Sequence, residues 1–303
     1  IENIFIGKGL LMSIFFLIIR AQNMFLTITD LNNHAVKKTN NVGKYIYYFH
    51  APVSTTKTYT ATAFDNYDII LCNGNYHLEE IRKRESIKKI KKKKLIKTGY
   101  FYFDYLNSRK NSQIETNEVL IAPSWNYKQK NFINENLEEV IQSVLAKGHV
   151  VKFRPHPESF KRSMLTINSF KKKFSNEKFI LDETFENVKS MENAKCLITD
   201  SSGIAIEFVL LFKKPTLYFD GNDKVHNDEF SDYNDLITMD QKVKKKFGYT
   251  FKKEDIKDLD VLIKKSMSEF INKDDEIKKF INDNFYNYGT TVKNFNDLIN
   301  KDF

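Results

Sequence analysis

The sequence predicts an α/β fold in which parallel sheets are covered by helices on both faces. Two observations across the 303 residues support this prediction. Apolar runs of strand length alternate with amphipathic segments of helix length. The strand-like runs are apolar throughout and do not alternate with polar residues, which is typical of parallel strands buried on both sides.

The second half of the chain shows this alternation most clearly. Strands are predicted at 118–125, 149–157, 178–183, 195–200 and 215–220. Helices are predicted between them, at 133–148, 159–174, 185–194 and 201–213. After about residue 240 the pattern becomes helical and charged to the end of the chain.

The first half shows a looser version of the same alternation. A helix is predicted at 8–20, strands at 24–30, 45–50, 67–74 and 94–99, and a further helix from the third strand to about 90. A polar stretch at 107–117 separates the halves. We therefore expect a first domain at 1–112, a second at 113–252 and a helical segment at 253–303. Because the first residue is Ile, we also expect that the N-terminus is truncated.

Composition and charge limit the function classes. Hydrophobic residues make up 41% of the chain and aromatic residues 14%, which excludes a disordered or fibrous protein. A net charge of +9 suits a polyanionic partner such as a phosphate polymer, an anionic membrane or nucleic acid. No nucleic-acid-binding motif is present, so no nucleic-acid partner is expected. Cys72 and Cys196 lie in apolar runs, and we expect both to be buried thiols in a reducing compartment.

Two further segments stand out by composition. The apolar run at 11–19 is too short to span a bilayer and predicts a core helix. The lysine-rich stretch at 82–97 is either a solvated helix face or a basic ridge that contacts an anionic lipid surface.

The loops that follow the predicted strands carry the candidate functional residues. In an open parallel sheet, ligands bind outside the carboxyl ends of the strands. At these positions the sequence places "SW" (Ser124 onward), "RPHP" (Arg154 to Pro157), "DSSG" (Asp200 to Gly203) and, in the first half, His50.

The "DSSG" segment predicts a phosphate-binding helix start. Ser201, Ser202 and Gly203 are expected to form the first turn of a helix, whose free amides and positive dipole end bind anions. Glu207, about one turn further on, is placed to hold the hydroxyls of a ribose. The alternative is that Asp200 or Ser201 merely caps the helix.

The "RPHP" loop is the second signal. Arg154 offers a bidentate fork for phosphate, and His156 can donate to a phosphate oxygen or protonate a leaving group. His34, His77, His149 and His226 are expected to be structural. The six histidines show no metal-site spacing, so no metal site is predicted, although a divalent cation could bridge a bound pyrophosphate and the protein.

These motifs, in this order, resemble those of the CDP-glycerol glycerophosphotransferases, which build polymers of the teichoic acid type. The resemblance is carried by "VLIAPSW", "KFRPHP" and "LITDSSGIAIEFVLLFKKPTLYFD", with "FHAPVST", "AFDNYDIILCNG" and "KTGYFYFD" before them. It covers roughly 45–220. Departures such as Ser124 in place of Thr and Asn126 in place of Arg leave a ribitol or sugar donor open.

The resemblance implies a fold and a reaction. The fold is GT-B-like, with two Rossmann-like domains facing each other across a cleft and C-terminal helices that pack back toward the first domain. The reaction transfers glycerol phosphate from CDP-glycerol to a hydroxyl of a membrane-linked, anionic polyol-phosphate or glycan acceptor, with release of CMP. His50 and His156 are the expected catalytic residues. Ser124, Arg154, Glu207 and the Asp200–Gly203 segment are expected to bind the donor.

The resemblance also implies a place in the cell, and alternatives are left open. An enzyme of cell-envelope polymer synthesis is expected in the cytoplasm, peripheral on the inner face of the membrane and held there by the basic stretch. The main alternative is a GT-B glycosyltransferase that uses a nucleotide sugar for capsule or lipopolysaccharide synthesis. A non-catalytic envelope protein and a nucleic-acid-binding protein are weaker alternatives. A panel of nucleotide donors distinguishes the glycerophosphotransferase from the glycosyltransferase.

Overall fold

The computed structural model describes residues 5–6, 9–33, 36–108, 116–126, 131–175, 178–184, 187–221 and 224–302. Within these ranges the chain forms two compact units. The first unit comprises the residues within 1–104, 225–238 and 284–303, and the second comprises those within 105–224 and 239–283. Most of the predicted join at 107–117 lies outside the described residues, as does His34.

The first unit is built on a parallel sheet of four strands. These are β1 (Ala21–Leu26), β2 (Val42–Tyr48), β3 (Ile69–Cys72) and β4 (Lys94–Lys97), and they pair in chain order. The helices of this part of the chain are α1 (Leu10–Ile18), α2 (Thr55–Thr58), α3 (Asn75–Lys88) and α4 (Phe101–Ser108).

The second unit contains a parallel sheet of six strands in the order β10-β9-β8-β5-β6-β7. The strands are β5 (Glu118–Ile121), β6 (Val150–Phe153), β7 (Phe179–Leu181), β8 (Ala194–Thr199), β9 (Thr216–Phe219) and β10 (Gly248–Phe251). The helices are α5 (Phe132–Glu135), α6 (Leu137–Ala146), α7 (Pro157–Arg162), α8 (Met164–Lys173), α9 (Asn187–Asn193), α10 (Ile204–Phe212), α11 (Met239–Phe247), α12 (Leu259–Phe270) and α13 (Asp274–Asn284). The last helix, α14 (Thr291–Asp302), belongs to the first unit.

The sequence prediction was wrong in three places. The region after residue 240 is not helical throughout, because β10 pairs in parallel with β9 at the sheet edge. Four residues between two amphipathic helices are too few for a strand period to show. The helix predicted at 159–174 is broken at Ser163, whose backbone angles are not helical, and the helix predicted at 133–148 is broken at Asn136.

Both sheets are buried on both faces, as predicted. In the first unit Tyr45 and Tyr47 lie in one core cluster, whereas Ile46 between them lies in another. In the second unit Val119 and Leu120 divide between two clusters in the same way. Cys72 and Cys196 are free thiols, fully buried in their strands.

Helix α1 is only partly the core helix that the sequence predicts. Phe16 is buried against the first unit's core. The opposite face of the helix is exposed and apolar. Its residues recur about once per turn and are Leu10, Leu11, Ile14, Leu17 and Ile18. Among the described residues, no helix is long and apolar enough to cross a membrane.

Candidate functional site

The candidate site of the second unit lies where the strand order reverses. From β5 the chain adds β6 and β7 on one side, then returns to add β8, β9 and β10 on the other. Strands β5 and β8 are therefore neighbours although they are far apart in sequence. In this architecture the loops after two such strands usually diverge, and the crevice between them at the carboxyl end of the sheet is the usual ligand site.

Asp200 joins the two loops that border this crevice. Its carboxylate accepts hydrogen bonds from the Ser124 backbone amide and from the Ser124 hydroxyl, both at 2.7 Å. One residue earlier, the Thr199 hydroxyl donates to the carbonyl oxygen of Ala122 at 2.7 Å. Asp200 is therefore not a simple helix cap, because both of its carboxylate oxygens are used to fix the neighbouring loop.

Helix α10 begins later than the sequence predicts. Its first residue is Ile204 and Gly203 is the N-cap, so Ser201 and Ser202 precede the helix instead of forming its first turn. Gly203 has right-handed helical angles, which other residues also adopt, so the position does not need a glycine for its conformation. The Ala205 and Ile206 amides donate to the carbonyls of Ser202 and Gly203, both at 3.1 Å, so the amides of Gly203 and Ile204 and the positive dipole end of the helix are the groups suited to an anion.

Glu207 lies on the same helix and is 5% exposed. Helix α10 is apolar around most of its circumference, which is typical of a helix buried in a protein core. The structure thus places the predicted ribose-binding carboxylate near the helix start, within largely apolar surroundings.

The loop after β6 presents Arg154 and His156, both half-buried. The Arg154 backbone amide donates to the Ile121 carbonyl at 2.8 Å, which fixes this loop to the end of β5. His156 caps α7, and its Nδ1 accepts a hydrogen bond from the Glu158 amide at 3.1 Å. In the neutral ring the proton is therefore on Nε2, which is the donor nitrogen of this side chain.

Asp182, which the sequence analysis did not single out, lies in the loop after β7. Its carboxylate accepts hydrogen bonds from the hydroxyls of Thr184 and Ser190. Burial disfavours its ionisation, but these bonds and the charge of Arg154 together hold the pKa of Asp182 below its usual range. Asp182 is thus a fixed negative charge that acts on Arg154.

Trp125 and Lys224 form a second feature that the predicted site omitted. Lys224 Nζ lies 4.8 Å from the centroid of the Trp125 ring, and the guanidinium of Arg162 lies 5.2 Å from it. The His156 ring is 5.9 Å away. The only tryptophan of the chain, placed four residues after β5 ends, was a usable signal. Nothing in the sequence singles out Lys224 among the many lysines.

His50 lies in the first unit, just after β2. Its side chain is exposed, and its carbonyl oxygen accepts a hydrogen bond from the Tyr100 hydroxyl at 3.0 Å. Surrounding atoms limit the hydration of the ring and lower the pKa of His50 below its ordinary value, against the effect of a hydrogen bond with the backbone of Thr27. The imidazole is therefore neutral at neutral pH.

Buried side chains of α3 hold the loop that carries His50. The Glu80 carboxylate accepts hydrogen bonds from the Thr55 amide at 2.6 Å and from its hydroxyl at 2.7 Å. His77 Nε2 is 3.0 Å from the Val53 carbonyl, and the ring stacks on Phe49. Burial lowers the pKa of His77 to about 3, so this histidine stays neutral and serves as a support.

The other described histidines also have structural partners. His149 bridges Asn117 and Asp260, with both contacts at 2.9 Å. The His226 amide donates to the Lys57 carbonyl at 2.9 Å. In the part of the chain that the structure describes, no group of three or more His, Cys, Asp or Glu side chains could hold a metal ion.

The basic stretch at 82–97 divides into two parts. Along α3, its side chains form ion pairs within the first unit, such as Arg84 with Asp65 and Glu229 and Lys88 with Asp232. After the helix, Lys89, Lys91 and Lys92 are exposed, and no ion pair with a described acid involves them. Among the described residues, Lys89, Lys91 and Lys92 therefore differ from the cations of α3 in having no ion pair with an acid.

Comparison with known proteins gives the same family as the sequence motifs. The family model described as CDP-glycerol:poly(glycerophosphate) glycerophosphotransferase matches residues 32–289. No curated protein sequence matches the chain significantly.

Solved structures show the fold class. A variant of the wall teichoic acid polymerase TagF is similar over 93% of this chain and 73% of its own, at 17% identity and a TM-score of 0.54. A TagF variant soaked with CDPG is similar over 93% of this chain and 71% of its own, at 19% identity and a TM-score of 0.54. The UDP-GlcNAc 2-epimerase of Methanocaldococcus jannaschii, in complex with UDP-GlcNAc and UDP, is similar over 85% of this chain and 69% of its own. The identity is 14% and the TM-score is 0.51.

The predicted α/β, GT-B-like fold class is thereby confirmed, and so is the family resemblance. The matched range includes His50, all the strand-end loops described above and Lys224. Since the family model matches well over half of the sequence, the chain belongs to the CDP-glycerol:poly(glycerophosphate) glycerophosphotransferase family.

Proposed function

We propose that this protein transfers glycerol phosphate from CDP-glycerol to a hydroxyl group of a polyol-phosphate or glycan acceptor linked to a membrane lipid, and that CMP is released. The observation that carries the proposal is the Ser124–Asp200 pair at the strand-order reversal, within the range that the family model matches. It fixes two loops around a helix start that suits a pyrophosphate.

In this proposal the second unit binds the donor. The pyrophosphate contacts the hydroxyls of Ser201 and Ser202 and the amides at Gly203, where the helix dipole favours negative charge. Arg154 supplies a permanent positive charge. Glu207 accepts hydrogen bonds from the ribose hydroxyls. A divalent cation bound with the pyrophosphate is compatible with this set of groups.

His156 is suited to a donor role because its Nδ1 is already an acceptor for the Glu158 amide. Its Nε2–H can therefore donate to a phosphate oxygen without a change of tautomer. This interaction stabilises the charge that develops on the phosphate during transfer.

His50 is the proposed general base. The acceptor oxygen forms a bond to the β-phosphorus, and the bond from that phosphorus to the bridging oxygen breaks. The bridging electron pair leaves with CMP, and the hydroxyl proton passes to the neutral imidazole of His50. The lowered pKa of His50 keeps the ring unprotonated at neutral pH, which this role requires.

The proposed location is the cytoplasmic face of the membrane, where a lipid-linked acceptor for teichoic acid or capsule polymer is extended. Two features of the first unit support it. The exposed face of α1 is apolar over two turns, and Lys89, Lys91 and Lys92 present uncompensated positive charge. Apolar insertion combined with lysines near anionic lipid gives reversible attachment.

A thermal-shift panel tests the donor assignment. The purified chain is measured with CDP-glycerol, CDP-ribitol, CMP, UDP-sugars and GDP-sugars, since a ligand that binds the folded state raises the Tm. The proposal predicts stabilisation by the cytidine compounds, with CDP-glycerol giving the largest shift. Stabilisation by UDP- or GDP-sugars alone would move the protein to the glycosyltransferases.

A further inference from the structure

The ammonium group of Lys224 is nearly buried beside the proposed phosphate site. Lys224 is 8% exposed. Its backbone amide donates to the Ser201 hydroxyl at 3.3 Å, and its Nζ lies 4.8 Å from the centroid of the Trp125 ring. The residue therefore adjoins both loops that border the strand-order reversal.

Among the described residues, the side chain of Lys224 has no acid in ion-pair contact. The charges of Asp200 and Asp240 act on it from longer range. A buried ammonium group that contacts only an aromatic ring is costly, because the ring replaces little of the lost hydration.

Lys214, in the same unit, shows how such a charge is satisfied within the protein. Its Nζ donates to the backbone carbonyls of Met191, Glu192 and Ala194. Arg162, which shares the Trp125 ring with Lys224, lies 3.7 Å from the Glu158 carboxylate. Lys224 differs from both. Among the described residues of the second unit, its Nζ has neither carbonyl acceptors nor a carboxylate in ion-pair contact.

We propose that Lys224 is a specificity-determining residue that binds the diphosphate of the donor nucleotide, beside the Ser201 hydroxyl and against Trp125. The proposal rests on the proposed function in that the same loops bind the donor. When the bond between the β-phosphorus and the bridging oxygen breaks, Lys224 stabilises the negative charge on the leaving nucleoside monophosphate. It transfers no proton in this step.

The electrostatics of the site give the proposal a pH signature. Burial lowers the pKa of Lys224 to about 8, partly offset by Asp200 and Asp240. Of the described residues, Arg162 and His156 also lie around the Trp125 ring. From about pH 7.5 to 9.5, ordinary carboxylate, guanidinium and imidazole groups keep one protonation state. Nucleotide affinity should therefore fall as pH rises above about 8, by up to about tenfold per pH unit.

Calorimetric titration of the purified chain with CDP, CMP and cytidine tests the proposal. Lys224→Met, which keeps an apolar side chain of similar length without the charge, and Lys224→Gln should both weaken CDP binding about 10- to 100-fold. Cytidine binding should not change, and the fall in CDP affinity above pH 8 should disappear. Arg162→Gln is the matched control, because it alters the same ring contact at an ion-paired cation.

The outcomes separate this proposal from the proposed function. If wild type binds CDP and both Lys224 variants bind it equally well, the role of Lys224 is wrong and the donor assignment stands. If wild type binds UDP and not CDP, the donor assignment is wrong, and the role of Lys224 is overturned if both Lys224 variants bind UDP as tightly as wild type. If wild type binds no nucleoside diphosphate, both are overturned.

Discussion

The two sheets of this protein use the same parallel strands in different orders. The four strands of the first unit pair in chain order, whereas the six strands of the second reverse direction between β5 and β8. A reversal lets neighbouring loops diverge and leaves room for a ligand between them. Among the described strands the first sheet has no such point. Under the proposed function, this difference in strand order assigns the nucleotide to the second unit.

The loops of the two units are also stabilised differently. In the second unit, Asp200 joins Ser124 across the crevice itself, so groups near the proposed ligand hold one another. In the first unit, Glu80 and His77 hold the His50 loop from the buried side and leave the imidazole exposed. Under the proposed function, the second unit is organised for binding and the first for proton transfer.

The largest expected effect is the loss of His50. His50→Asn should lower the kcat for CMP release about 10²- to 10⁴-fold, because a positioned base contributes that much. The Kd for CDP-glycerol, which the second unit binds under the proposed function, should stay within about twofold. Steady-state kinetics and calorimetry of the same preparation measure both quantities.

The pH profile checks the same assignment. The reaction needs neutral His50 and the pKa of His50 is lowered, so the acid limb of kcat/KM should lie below about pH 6.5. A variant that binds donor weakly but turns over bound donor at the wild-type rate would show that His50 is not the base.

Asp200→Asn addresses the other side of the comparison. The two Ser124 hydrogen bonds end on different carboxylate oxygens, and in Asn one of these is replaced by an NH2 group that cannot accept, so the two loops should lose their fixed spacing. We expect CDP-glycerol affinity to fall about 10- to 100-fold, with a smaller effect on turnover of bound donor. Asp275→Asn, at a fully exposed carboxylate, is the matched control. Unchanged affinity in Asp200→Asn would contradict the role given to the Ser124–Asp200 pair.

Glu80→Ala tests the support of the His50 loop. It removes the acceptor of the buried Thr55 amide and hydroxyl, so the free energy of unfolding should fall by about 1–3 kcal/mol. Glu80→Gln keeps an acceptor oxygen and should cost less. Urea denaturation measures both, and CDP binding should change little. A stability loss of equal size in the two variants would indicate that lost charge, and not lost hydrogen bonds, is responsible.

The smallest effect per substitution is expected in the basic stretch. Changing Lys89, Lys91 or Lys92 to Gln should reduce binding to anionic vesicles by about 1 kcal/mol each, or roughly fivefold. Lys88→Gln is the control, because that lysine is ion-paired with Glu229 and Asp232 and should contribute less. Co-sedimentation at low ionic strength measures the difference. An equal loss of vesicle binding at Lys88 and Lys91 would contradict the distinction between the ion-paired cations of α3 and the exposed lysines that follow the helix.

The sequence predicts the fold class and family because these depend on local patterns. Apolar runs indicate the strands, and the residues of short motifs such as "RPHP" are consecutive in the sequence. Strand order is not local, so the contact between Ser124 and Asp200, 76 residues apart, could be named only as two separate candidates. Lys224 could not be found at all, since its signal is burial beside Trp125 and not its residue type. Strand β10 was missed because four residues carry too little periodicity.

Phosphorus NMR of the reaction itself tests the central claim most directly. The wild-type chain is incubated with CDP-glycerol and a hydroxyl-terminated poly(glycerol phosphate) acceptor. The account predicts that the pyrophosphate signals disappear while CMP and a new phosphodiester form in equal amounts. If CDP-glycerol stays intact while a nucleotide sugar in the same mixture is consumed with release of a nucleoside diphosphate, transfer occurs at sugar carbon and the account is contradicted.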